Sequence, residues 1–336
     1  MIHVAVIGCG YWGPNLIRNF SQIQESTVSM ACDLNLDRLA SVKASYPSVD
    51  VTQDYIEILN KPEIEAVAIA TPVSTHYHLA KDALLHDKHV LVEKPLTASS
   101  PEAEDLIALA AKRERTLMVG HTFEYNPAVV KVKELLSRGE IGDIYYIDSS
   151  RLNLGLHQFD INVVWDLAPH DLSIILYWLG TEPLVVNTRG NSYIQDGIAD
   201  VAFISLGFPK NILAHLHVSW LAPSKLRRTT IVGSEKMVVY DDLEPVEKVK
   251  VYDRGVLALQ NSESLMELQR TYRIGDVFSP YIESSEPLRT ECEHFLECIR
   301  EQGTSRTDGY SGLRVVKILE AADRSLRNNG SAERVG

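Results

Sequence analysis

The chain is poor in the features that mark secreted, membrane or metal-dependent proteins. Four cysteines stand in 336 residues, Cys9, Cys32, Cys292 and Cys298. None belongs to a C-x-x-C pair, and their scatter predicts reduced, buried thiols in place of disulfides or zinc, so no metal ligands are assigned. The opening MIHVAVIGCG has no basic leader and no apolar run long enough for a signal peptide or a membrane span. A cytoplasmic protein without membrane contact is expected. Basic residues are outnumbered, 33 Lys and Arg against 45 Asp and Glu, for a formal charge of −12. A net negative surface gains nothing by approaching nucleic acid or anionic lipid, so neither is expected as a partner. Internal repeats and low-complexity tracts are missing as well.

What is present is a globular composition, 45% hydrophobic and 23% charged, in a chain long enough for two domains. The first 120 residues alternate strands with helical segments. IHVAVIG, VSMACD, EAVAIATP and KHVLVEKP are apolar runs that stop at turn or catalytic-type residues, as parallel strands covered on both faces do. Helix-like spacing fills 15–20, 36–46, 76–86 and 101–113, and TLMVGH supplies a further strand. From about His121 the rhythm changes. A helix over 127–137 precedes DIYYIDSSRLNLG, VAFISLGF, NILAHLHVSW, RRTTIVGS and KMVVYDD, whose alternation predicts a large, mostly antiparallel open sheet. WDLAPHDLSIILYWLG interrupts it with helical periodicity, and helices over 290–301 and 310–327 close the chain. The expected architecture is α/β: a doubly wound parallel Rossmann sheet over 1–120, then a substrate-binding and oligomerisation domain over 121–336 whose last helices pack back on the first.

Gly8, Gly10 and Gly13 form G-C-G-Y-W-G between the first strand and a helix, and Asp33 ends the next strand. In such a turn the first glycine allows the bend, the second lets the backbone approach a pyrophosphate, and the third lets helix pack on strand. The helix N-terminus then faces the phosphate charge. Asp33 is placed to accept hydrogen bonds from both ribose hydroxyls and would repel a 2′-phosphate, which favours NAD(H) over NADP(H). Arg38, in the same region, is the residue that could accommodate that phosphate. Tyr11 and Trp12 offer backbone amides and an aromatic cover, or simple packing.

Glu93-Lys94-Pro95 stands at the end of the fourth run, where open parallel sheets bind their ligands. Much later, Asp166 and His170 are four residues apart and share one face of a helix. With these motifs in order, the sequence resembles the Gfo/Idh/MocA oxidoreductases over nearly its whole length. The features that carry the likeness are GCGYWG, ATPVSTHYHLA over 70–80, EKPLT over 93–97 and the Asp166-x-x-x-His170 pair. The resemblance implies a two-domain dehydrogenase in which Lys94 and His170 flank the carbon that exchanges hydride with the nicotinamide. It assigns Thr71, Pro72 and His76 to the cofactor, with Glu93 and Lys94 beside it. As hydride leaves a secondary alcohol carbon, His170, with an unperturbed pKa close to working pH, takes the hydroxyl proton. Asp166 orients the imidazole, and Lys94 stabilises charge developing on the oxygen. A lysine proton carrier is the alternative allocation within the family.

Two departures from the commoner family pattern stand out: Glu124-Tyr125-Asn126-Pro127 lacks an arginine before the proline, and Asn162-Val163-Val164-Trp165 replaces a glycine-rich approach to the Asp/His pair. Arg151, Asn153, His157 and Gln158, with Tyr125 and Asn126, are the polar residues expected to read sugar hydroxyls, and Arg151 could pair with phosphate or carboxylate. The stretch GHTFEYNPAVVKVKELLSRGEIGDIYYIDSSRLNLG is most similar to family members of nucleotide-sugar and amino-sugar biosynthesis, which implies oxidation of a ring carbon, often C3. The alternatives are a dehydrogenase or ketoreductase of free sugars, inositols or aminoglycoside rings, an enzyme that retains its NAD(H) between turnovers, and a non-catalytic NAD(H) sensor. The resemblance further implies a homodimer or homotetramer through the open sheet.

Overall fold

In a computed structural model, residues 1–155, 161–257 and 271–336 are described. They divide into two compact units, residues 1–125 with 285–320, and residues 126–284 with 321–336.

The first unit opens β1 (Ile2–Ile7), α1 (Gly13–Gln22), β2 (Ser26–Cys32), α2 (Leu36–Ser45), β3 (Asp50–Thr52) and α3 (Tyr55–Leu59). It continues β4 (Ala66–Ile69), α4 (Val73–Leu85), β5 (His89–Glu93), α5 (Ser100–Arg113) and β6 (Leu117–Gly120). The six strands run parallel in the order β3-β2-β1-β4-β5-β6. This is the doubly wound order of dinucleotide-binding sheets, and it reverses between β1 and β4. All four residues of β4 are buried, as a strand with helices on both faces must be. On one face Val4 and Val6 pack with Leu16, Ile17 and Phe20 of α1; on the other, Ile7 and Ile69 pack with Leu84 of α4 and Leu106 of α5. β3 and α3 are too short for periodicity to reveal them.

The second unit contains α6 (Pro127–Ser137), β7 (Ile144–Leu154), α7 (Val163–Leu179), β8 (Val185–Asn191), β9 (Val201–Gly207), β10 (Leu213–Ser219), β11 (Leu221–Gly233), β12 (Met237–Asp241), β13 (Val249–Leu257) and β14 (Thr271–Phe278). The chain ends with α8 (Pro287–Glu301), α9 (Gly309–Arg327) and β15 (Glu333–Arg334). Among the described residues, nine strands form one sheet in the order β14-β13-β12-β11-β7-β10-β9-β8-β15. Its pairs are antiparallel except β10 on β7, so the sheet is mostly antiparallel, as expected, with one parallel pair near its centre. Alternation works as read: Ala214, Leu216 and Val218 of β10 are buried, while Leu213, His215 and His217 face outwards. α8 belongs to the first unit, where Leu288, Cys292, Phe295 and Leu296 join the α1 side of the core.

Candidate active site

The glycine turn sits where the strand order reverses. Gly8 has φ +95°, and a Cβ there would lie 2.6 Å from the Ala70 carbonyl oxygen, at the end of neighbouring β4. A Cβ on Gly13 would lie 2.0 Å from the Gly8 carbonyl oxygen, so helix and turn can approach this closely only because residue 13 lacks a side chain. Gly10 is different: the nearest atom to its Cβ position is an Arg38 nitrogen at 3.8 Å, which leaves room for a ligand to approach the backbone. No side chain caps the N-terminus of α1. Pro14 has no amide hydrogen and the Asn15 amide donates to the Trp12 carbonyl at 2.9 Å, so what this end offers an anion is chiefly the helix dipole. These features fit a dinucleotide pyrophosphate. Tyr11 is 82% exposed on the turn, and Trp12 meets it edge-on at 5.6 Å.

Asp33 completes this half of the site. One carboxylate oxygen accepts from the Cys9 amide at 2.7 Å and the other from the Asn35 amide at 2.8 Å. The turn and the end of β2 are thereby locked together. Arg38 approaches the same carboxylate at 3.5 Å. Burial and the neighbouring Asp33 raise the Cys9 thiol to about 12, which leaves it unreactive.

Lys94 follows β5, the strand after β4 in the sheet, and its peptide bond to Pro95 is cis. Its amide donates to the Glu93 carboxylate at 3.3 Å. Glu93 itself is buried and packs on Gly120, where a Cβ would sit 3.2 Å from the carboxylate. The cofactor contact expected of the Glu93 side chain is therefore corrected: the carboxyl is turned into the protein. Burial lifts it to about 7, opposed by the Lys94 charge and amide. Beside it, Thr122 donates to Glu291 at 2.8 Å, and burial together with Glu93 raises Glu291 well above the carboxylate range. Burial and the Lys94 charge depress His121 to about 3, so its ring is neutral.

An acid whose folded pKa lies above its unfolded one disfavours folding once it ionises. The cost of Glu93 is absent below about pH 4.5, grows as pH rises towards 7 and then levels off. Glu93→Gln removes this titration. Its melting temperature is expected to gain on the wild type between pH 5 and pH 8, by the equivalent of a few kcal/mol at most, roughly. A difference that stays constant across that range would show that Glu93 does not titrate there.

In the second unit, Asn162 caps α7 by accepting from the Val164 and Trp165 amides, and its side-chain amide donates to Asp323 at 2.9 Å. Trp165 donates to the same carboxylate at 2.8 Å. Pro169 lies inside α7, immediately before His170. The helix brings Asp166 and His170 one turn apart, as their spacing predicts. Asp166 accepts from the indole nitrogen of buried Trp220 at 2.9 Å.

Several expected substrate contacts are corrected by burial. Arg151 is 3% exposed, and its guanidinium donates to Asp171 at 2.6 and 3.3 Å. Ser149 donates to the same carboxylate at 3.0 Å. The arginine that sequence offers as an anion partner is committed to the residue following His170. Tyr125 is buried with its hydroxyl 3.2 Å from Thr307, and Asn126 caps α6 through the Ala128 amide at 2.9 Å. Asn153 is half-buried near the end of β7 and keeps its candidacy; His157 and Gln158 lie outside the described residues. Thr71 and Pro72 reach the surface, whereas His76 is buried with both ring nitrogens on backbone carbonyls, which corrects its assignment to the cofactor. Sequence reading missed Asp171, Trp220 and Asp323, because nothing local signals their long-range partners.

Comparison with known proteins matches residues 2–121 to the oxidoreductase family with an NAD-binding Rossmann fold, Gfo/Idh/MocA, and residues 129–239 to the Gfo/Idh/MocA C-terminal domain. The chain belongs to the Gfo/Idh/MocA family. This Gfo/Idh/MocA protein is 29% identical to the UDP-N-acetylglucosamine 3-dehydrogenase of Acidithiobacillus ferrooxidans, over 94% of this chain and 95% of the relative. A solved structure of that dehydrogenase superposes with a TM-score of 0.82 at 27% identity, covering 98% and 99% of the two chains. The Bacillus subtilis scyllo-inositol 2-dehydrogenase (NADP(+)) is also 29% identical, over 86% of this chain and 84% of its own. The protein is thus an NAD-binding oxidoreductase whose relatives act on sugars and inositols. No helix among the described residues is long and apolar enough to cross a membrane.

Proposed function

We propose that this oxidoreductase oxidises a secondary alcohol of a nucleotide sugar, at C3 of the ring, with NAD as the preferred cofactor, and works in the cytoplasm. The observation that carries the substrate reading is the near full-length similarity to a UDP-N-acetylglucosamine 3-dehydrogenase in both sequence and fold. Bound at the glycine turn, NAD supplies the acceptor for the hydride. Lys94 donates a hydrogen bond to the substrate oxygen and stabilises its developing negative charge. His170 takes the hydroxyl proton as the C–H bond breaks, leaving a ketone, and returns it in the reducing direction. Asp166, held by Trp220, orients the imidazole. Asn153, with His157 and Gln158, is assigned to the sugar; Thr71, Pro72, Tyr11 and Trp12 are assigned to the cofactor.

The test is a scan with NAD and a panel of UDP-sugars, dTDP-sugars, free sugars and inositols, following absorbance of the reduced nicotinamide. Reduction with a nucleotide sugar, together with thermal protection by UDP or dTDP, is the expected result. Turnover confined to free polyols would move the activity to the cyclitol and sugar branch. Tight NADH binding without any turnover would mark a sensor.

The preference for NAD rests on the Asp33 carboxylate at the end of β2. Wild-type protein is expected to bind NADH at least several-fold more tightly than NADPH. Asp33→Ser, which leaves Arg38 in place, should narrow or reverse that ratio. Equal affinities in the wild type, measured by titration, would remove the role assigned to Asp33.

The open sheet face supports assembly with a second copy of the chain. There Phe203 stacks on His217 at 4.3 Å, His215 pairs with Asp148 at 2.9 Å, and Tyr146, Phe203 and Leu213 expose large apolar surfaces. Adjacent exposed apolar groups of this size mark an interaction surface. Sedimentation at micromolar concentration is expected to report a dimer or tetramer; a monomer would end this assignment.

A further inference from the structure

His76 lies outside the proposed catalytic pair, yet its ring is tied to two segments of backbone that the chemistry needs. It is 1% exposed; Nδ1 lies 2.8 Å from the Pro95 carbonyl oxygen, and Nε2 lies 2.8 Å from the Thr71 carbonyl oxygen. Thr71 begins the loop after β4, and Pro95 follows Lys94 after β5; the two strands are paired neighbours. A neutral imidazole donates to one of these carbonyls, and a protonated one donates to both.

The ring is itself well anchored. It stands in the first turn of α4, a helix whose Ala80, Ala83 and Leu84 are fully buried in the core. Thr75, one residue earlier, adds a second tie to the same loop, donating to the Pro72 carbonyl at 2.7 Å with its hydroxyl 2.7 Å from that of Thr71. The loop is in turn pressed against the glycine turn, since a Cβ on Gly8 would meet the Thr71 methyl at 2.8 Å. A continuous set of short contacts therefore runs from the glycine turn through Thr71 and His76 to the segment that carries Lys94.

We propose that His76 is a positioning residue, a brace that fixes the Lys94 turn against the cofactor loop so that the ammonium meets the substrate oxygen where hydride departs. This inference rests on the role given to Lys94 above. Displacing a reacting group by ~1 Å is enough to cost on the order of 10²-fold in rate.

The test compares His76→Leu, which removes the imidazole's polar contacts with the two carbonyls, with His76→Gln, whose amide can still donate. Expected for His76→Leu is a fall in kcat of about 10- to 100-fold with the sugar KM little changed. NADH should bind several-fold more weakly, and the rate of Lys94 acetylation by acetic anhydride should change while that of exposed Lys43 does not. His76→Gln should recover most of the lost kcat, a rescue that a space-filling role would not produce. If His76→Leu does not fold, His76→Asn takes its place, and its shorter amide should leave kcat well below that of His76→Gln. Wild-type kcat, NADH affinity and Lys94 labelling in His76→Leu, or equal kcat in the Gln and Asn variants, would overturn the brace. If the wild type itself turns over no sugar, the functional reading fails separately, and NADH affinity and Lys94 labelling still decide the role of His76.

Discussion

Replacing Lys94 with methionine is expected to lower turnover by about 10²- to 10³-fold, and replacing His170 with alanine by about 10²- to 10⁴-fold, with NADH binding largely retained in both. Methionine keeps much of the side chain's length and removes its charge, so the loss reports stabilisation of the developing alkoxide. Alanine at position 170 removes the group that receives the proton. The glycine turn and Asp33 are built from β1, α1 and the end of β2, and neither substitution touches them. NADH affinity followed by fluorescence titration separates a lost chemical step from a lost binding step. Near-normal turnover in either variant would remove that residue from the mechanism. Should only Lys94→Met be inactive, the proton would be carried by the lysine.

The largest expected effect on stability comes from Asp171→Ala. Arg151 is 3% exposed and directs two nitrogens at this carboxylate, so truncation strands a charge inside the second unit. Breaking a buried pair from one side costs about 3–5 kcal/mol, because the remaining ion is cut off from water and loses its hydrogen-bonded counterion, with only the weaker influence of Asp242 left beside it. Replacing both partners with apolar residues, Arg151→Met with Asp171→Leu, should recover much of that loss, since two well-packed apolar groups need no compensation. Urea denaturation of the single and double variants reads this directly. A single variant within about 1 kcal/mol of wild type would mean that the pair is solvated in the folded protein. The double variant has a second use: Asp171 follows His170 in α7, so normal stability with impaired turnover would identify the ion pair as support for the imidazole.

The parallel sheet was legible because its strands are buried on both faces and read as unbroken apolar runs, and the glycine turn because three glycines, a strand, a helix and an acid must occur together. The helix over Pro127–Ser137 was also found to the residue, since a proline marks its start and its apolar positions recur at helical spacing. Polar side chains were harder. Arg151, Tyr125 and Asn126 look like surface groups in a sequence, and only the fold reveals partners such as Asp171, Thr307 and the Ala128 amide. β8 escaped because VVNTRGN mixes a glycine and two asparagines into a strand whose buried side is supplied by distant residues. The mixed character of the large sheet was equally hidden: the parallel register of β10 on β7 depends on which strands meet, and no local pattern encodes that.

The return of residues 285–320 to the first unit makes this chain indivisible by a single cut. Phe295 packs edge-on against Phe20 with ring centroids 6.3 Å apart, and Leu288, Cys292 and Leu296 line the same core. A chain ended at residue 125 would present that apolar face to water and lose the helix that completes the nucleotide-binding module. Shuffling substrate domains among relatives must therefore exchange residues 126–284 together with 321–336, and leave residues 285–320 with their parent.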